Sequence, residues 1–185
     1  MLRTLEKLNP RLLRPIGWLV TLGSLFLCLL LMPLRLPGFT LFDLAPNWLL
    51  IWLVTWSINK PVVVAAIAGV SVGLLQDAMT IPGDISLAPT RAISMALVAI
   101  LTALLQKQRY VQEDFVSIAL IVFGMSVVSE TAIALQLTVL GRDLSQVWLM
   151  QQRITLTTAV LNSLWSPALY FPLSRWWRWL EKTAA

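Results

Sequence analysis

The sequence predicts an all-α integral membrane protein, a single bundle of six transmembrane helices, and three observations predict it. Hydrophobic residues make up 58% of the 185-residue chain and charged residues only 12%, against roughly a quarter charged in a soluble domain. The apolar residues gather into runs near the length, about 20 residues, that crosses a bilayer as a helix. The cations between those runs alternate in abundance. With both termini in the cytoplasm, Arg3, Lys7, Arg11, Arg14, Lys60, Lys107, Arg109, Arg175, Arg178 and Lys182 share the inner side, and Arg35, Arg91, Arg142 and Arg153 the outer. That bias matches the enrichment of Lys and Arg in the cytoplasmic loops of membrane proteins.

Residues 1–15 carry Leu2, Leu5 and Leu8 between Arg3 and Lys7, a pattern suited to a short helix on the inner leaflet. The first span, 16–36, follows this basic lead as a signal peptide would. It is longer than a signal peptide's apolar region and has no Ala-x-Ala-like exit, so it reads as an uncleaved helix. The second span, 46–58, bears Trp48, Trp52 and Trp56 and stops at Asn59-Lys60-Pro61, where proline and lysine mark a water boundary. The third is 61–75. Both are short, so they either thin the bilayer locally or sit partly buried in the bundle, and a re-entrant hairpin is the alternative for the pair. A turn-rich stretch containing Pro82-Gly83-Asp84 leads to the fourth span, 92–105. The fifth, 115–140, is long. Gly141-Arg142-Asp143 turns the chain into a short amphipathic helix with Leu144, Val147, Trp148 and Met150 on one face. The sixth span is 154–173, and residues 174–185, with Arg175-Trp176-Trp177-Arg178-Trp179, read as a cytoplasmic anchor in the headgroup region.

Little in the chain carries chemistry. Histidine is absent and Cys28 is the single cysteine, which removes the usual bases, nucleophile pairs and metal clusters. The membrane aspartates do not form a dyad, because Asp77 and Asp84 bracket a loop, and there is no Gly-rich phosphate loop. No enzyme activity, cofactor or metal is expected. No basic patch interleaved with aromatics lies outside the spans, so nucleic acid is not an expected partner. What remains is packing. Ala65, Gly69 and Gly73 recur every four residues as a small-residue ridge that lets a neighbouring helix approach closely, inside the bundle or on a partner. Ala92, Ala96, Ala99 and Ala103 repeat the idea on the fourth span. Asp77, one turn beyond Gly73, sits at the wrong end of its helix dipole and needs water, a cation or a polar contact to offset it. Glu130 and Asn162 lie inside the fifth and sixth spans at similar depth, and the expectation is that they hydrogen-bond as a polar lock, with Gln136 nearby.

Residues 46–83 bear a likeness to a known family. Pro46-Asn47 opens a Trp-bearing span that ends at Lys60-Pro61, followed by Gly69-x-x-x-Gly73-Leu74-x-x-Asp77 and then Pro82-Gly83. This order resembles the rod-shape-determining membrane protein MreD family. The resemblance implies a fold similar to the S-components of energy-coupling-factor vitamin transporters. It also implies a non-catalytic scaffold of the bacterial cell-elongation machinery in the inner membrane. The implied partner is an MreC-like bitopic protein, with RodA-type glycosyltransferase, penicillin-binding transpeptidase and MreB filaments in the same assembly. The alternative is a true S-component binding a vitamin or metal chelate. Its outer pocket would draw on Glu130, Gln136, Asn162 and the Asp77–Arg91 loop, with Trp48 and Trp165 near.

Overall fold

The structure is a computed structural model that describes residues 10–32, 45–58, 60–80, 90–107, 114–141 and 144–184. Within these the chain forms six helices: α1 Pro10–Leu31, α2 Trp48–Ser57, α3 Val62–Thr80, α4 Thr90–Lys107, α5 Phe115–Val139 and α6 Leu144–Ala184. Two of them, α3 over Val62–Met79 and α5 over Phe115–Val139, are long and apolar enough to cross a membrane. The apolar stretches Pro15–Leu31, Trp48–Ser57 and Thr90–Leu105 are shorter.

Local chemistry sets the ends. Pro10 opens α1, where its missing N–H costs nothing, and α1 stops at Leu31, because Pro33 biases Met32 away from helical backbone. The first helix therefore lies earlier in the chain than residues 16–36: of the expected interfacial segment 1–15, residues 10–15 belong to α1, and 1–9 lie outside the described residues. Asn47 caps α2 by accepting from the Leu50 N–H at 3.2 Å. Lys60 then sits 5.8 Å from the centre of the Trp56 ring at the turn into α3. α3 runs beyond residue 75 to Thr80, so Asp77 is a helical residue. α5 ends in a left-handed Gly141 at φ +86°, whose N–H reaches the Thr138 carbonyl at 3.0 Å.

Two expectations change. Residues 46–58 form a helix of only 10 residues, about 15 Å long, half the thickness of a bilayer's hydrocarbon core. It is buried along nearly its whole length and touches each of the other five helices, so it is the axis of the bundle. A cap at Asn47 and a proline at 61 leave it no room to extend. The second change is at the other end of the chain. The amphipathic segment, sixth span and anchor are one helix of 41 residues, about 62 Å long. Its prolines are absorbed: Pro167 has no N–H for the Ser163 carbonyl, and the Ser166 hydroxyl donates to that carbonyl instead at 2.9 Å. In the expected anchor, Trp177 is buried and its indole N–H donates to Thr21 Oγ1 of α1 at 3.3 Å. An indole packed against a helix needs a partner for its N–H.

The core gathers around α2. Cys28 of α1, Ala65 and Val72 of α3, Met95, Val98 and Ala99 of α4, and Val122 and Met125 of α5 all pack into one cluster with it. The two largest helix interfaces are α3 with α4 and α5 with α6. In both, the partners run antiparallel.

Candidate functional site

The most densely bonded part of the molecule is a knot of neutral polar side chains where α2 begins. Asn162 of α6, fully buried, accepts from the backbone N–H of Asn47 at 2.7 Å and donates from Nδ2 to Ser126 Oγ of α5 at 2.9 Å. Ser126 passes its own proton to the Val122 carbonyl at 2.8 Å. Asn47 Oδ1, already capping α2, also accepts from Gln76 Nε2 of α3 at 3.3 Å. Three side-chain amides and a serine thus tie four helices together. Its described members, Asn47, Gln76, Ser126 and Asn162, are neutral, so burying them avoids the large desolvation cost of an ion. A network of this kind holds its helices in one register, because losing any member strands a polar group in apolar surroundings.

A second polar contact lies one residue along α3. Asp77 accepts from the Arg91 N–H with both carboxylate oxygens at 3.2 Å and from the Ala92 N–H at 3.1 Å. The carboxylate at the unfavourable end of its own helix is thereby the cap of the next one, where the free N–H groups and the helix dipole favour an anion. Gln136 of α5 adds a bond to the Thr90 carbonyl at 3.1 Å. Between α4 and α5, Ser94 and Ser129 share a hydrogen bond of 3.0 Å.

Below these contacts, α3 and α4 meet backbone to backbone. A Cβ placed on Gly69 would lie 2.7 Å from both the Ala96 Cα and the Met95 carbonyl oxygen. One placed on Gly73 would lie 2.6 Å from the Arg91 carbonyl oxygen and run into the Ala92 Cα. Ala65 is fully buried further along the same ridge. The two ridges read from the sequence therefore face each other, Gly69 opposite Ala96 and Gly73 opposite Ala92, inside the bundle.

The expected Glu130–Asn162 lock takes a different form. Asn162 bonds Asn47 and Ser126, and Glu130 stands half-buried one helical turn from Ser126. The reason is register: the residue of α5 that meets Asn162 is the one a turn nearer the start of the helix. Gln76 and Ser126 were not singled out from the sequence. The usable signal was a lone amide on an otherwise apolar helix, three residues after Gly73 on the packed side. Pro46 is buried beside the knot and Pro61 is exposed at the α2–α3 turn, while Gly83 lies outside the described residues. Trp48 and Trp165, placed near an outer pocket by the sequence, pack against each other with ring centres 5.8 Å apart. Comparison with protein-family models, curated proteins and solved structures finds no match to the chain.

Proposed function

We propose that the chain is a multi-pass protein of the bacterial inner membrane, both termini cytoplasmic, that acts as a non-catalytic scaffold of the cell-elongation machinery and binds an MreC-like bitopic partner. The membrane part of this reading rests on an inverted distribution of polarity. Trp18, Leu19 and Phe26 on α1, Val63 and Ile67 on α3, Val116 and Leu120 on α5 and Leu164 on α6 are all exposed, while Asn162, Ser126, Gln76 and Ser94 are buried. Soluble monomers rarely expose contiguous apolar surface of more than a few hundred Å². On this reading lipid is the solvent around five helices, and α2 is held among them without needing to span.

The observation that carries the scaffold over the transporter is how the interior polar groups are used. A vitamin site needs polar side chains converging on an open cavity. Here Asn47, Gln76, Ser126 and Asn162 bond one another, and Trp48 and Trp165 pack against each other at a tilt. The residues of the family-like motif, Asn47, Gly69, Gly73 and Asp77, each hold one helix against another, which suits a part that keeps partners in register. The test is complementation. The tagged chain, expressed in a rod-shaped bacterium depleted of its own MreD, is expected to restore rod shape and to co-purify the MreC-like protein after mild solubilisation. Rounded cells despite stable insertion, with an energy-coupling module or a bound vitamin in the purified material, would favour the S-component. Orientation is checked separately: Gln108→Cys should label only after permeabilisation and Ser86→Cys from outside.

A further inference from the structure

We infer that the groove between the start of α5 and the middle of α6 is a binding site for an anionic phospholipid. The inference rests on the membrane reading above. The groove has a volume of about 450 Å³ and is lined by Phe115, Leu164, Trp165, Pro167, Ala168 and Phe171. Phe115 and Phe171 stack within its wall with ring centres 6.4 Å apart. Its walls are apolar throughout, which suits an acyl chain. Leu164, Ala168, Phe171 and Arg175 follow one another at spacings of four, three and four, so they lie along a single face of α6. Leu164, Ala168, Phe171 and Arg175 are all exposed on that face. The apolar strip therefore runs directly into an exposed guanidinium, one turn past Phe171. Arg175 is at the end assigned to the cytoplasmic leaflet, where anionic headgroups attract cations. Apolar walls and a terminal cation match a lipid with an anionic phosphodiester headgroup. A partner's transmembrane helix would instead leave Arg175 opposite apolar side chains. Asp114, exposed beside Phe115, is an opposing charge that limits the preference without cancelling a bidentate Arg–phosphate contact.

Trp165 lines the groove and reports on it. The full chain is reconstituted in phosphatidylcholine vesicles containing either dibrominated phosphatidylglycerol or dibrominated phosphatidylcholine at equal mole fraction. The Trp165 signal is the difference in emission between the wild type and Trp165→Phe. Phosphatidylglycerol is expected to quench it at about five-fold lower mole fraction, the advantage of one cation near an anionic headgroup. Arg175→Gln should abolish that advantage while leaving quenching by phosphatidylcholine, and Asp114→Asn should enlarge it. Equal quenching by the two lipids would overturn the site and leave ordinary annular lipid. Quenching of other tryptophans but not of Trp165 would overturn it in favour of a groove covered by a partner helix or a second copy. Failure of the protein to float with the vesicles would overturn the membrane reading itself, which the other two outcomes leave standing.

Discussion

The two antiparallel pairs, α3 with α4 and α5 with α6, are built on opposite principles. α3 and α4 touch through their backbones, with glycine required at two successive turns. α5 and α6 touch through side chains, by the Ser126–Asn162 bond at one level and the Phe115–Phe171 stack at another, with a groove between. Gly124 on α5 has open space where its Cβ would be. A glycine in an apolar helix therefore means close packing only when its partner helix offers small residues in register. The α3 ridge has Ala92 and Ala96 facing it, and Gly124 faces nothing.

The comparison is broken most directly at the ridge. Gly73→Leu and Gly69→Leu are expected to remove the folded protein from the membrane, and Gly73→Ala to cost about 1–3 kcal/mol by overpacking. Unfolding in mixed micelles measures the loss, and normal accumulation of both leucine variants would mean the helices can separate freely. The knot comes next. Asn162→Leu strands the Asn47 N–H and removes the donor to Ser126 Oγ, and should cost about 1–2 kcal/mol, in line with interhelical hydrogen bonds in membranes. A cycle with Ser126→Ala should return a coupling of less than the whole loss, because the Asn47 bond is independent of Ser126. Additive effects would dissolve the knot into unrelated contacts. Asp77→Ala is expected to cost about 1 kcal/mol through the lost cap. Asp77→Asn should recover most of it, and hydrogen exchange at the Arg91 and Ala92 amides should quicken in the alanine variant. The smallest effect belongs to Gly124→Ala, which should be neutral or stabilise by under about 1 kcal/mol. A clear loss of partner binding there, with stability unchanged, would mark that face of α5 as an interface.

How much of this was legible follows from which physics the sequence exposes. Periodic spacing showed the Gly69–Gly73 ridge and the alanine ridge of α4, because small residues at four-residue intervals share a face whatever surrounds them. The dipole argument showed that Asp77 needed a partner but left open which, since the Arg91 and Ala92 N–H groups lie beyond a loop. Pairing across helices was not legible. Depth alone suggested Glu130 for Asn162, and the one-turn shift of α5 along α6 that brings Ser126 level with it instead is a tertiary property. The central position of α2 was left open for a related reason: its shortness allowed burial in the bundle as well as a thinned bilayer, but Trp48 to Ser57 is apolar on every side, and composition does not separate a lipid-facing helix from one enclosed by others.

The Asn47–Asn162 bond also has a consequence in time. It joins residues 115 apart in the chain, and synthesis at 5–20 residues per second separates them by roughly 6 to 23 s. The Asp77–Arg91 bond spans 14 residues and becomes available within about 1 to 3 s at the same rates. The α3–α4 hairpin can therefore close while the ribosome is still working. Half a bilayer long, α2 must wait for α6 before the N–H at its buried end is satisfied, so the last helix made completes the place of the second.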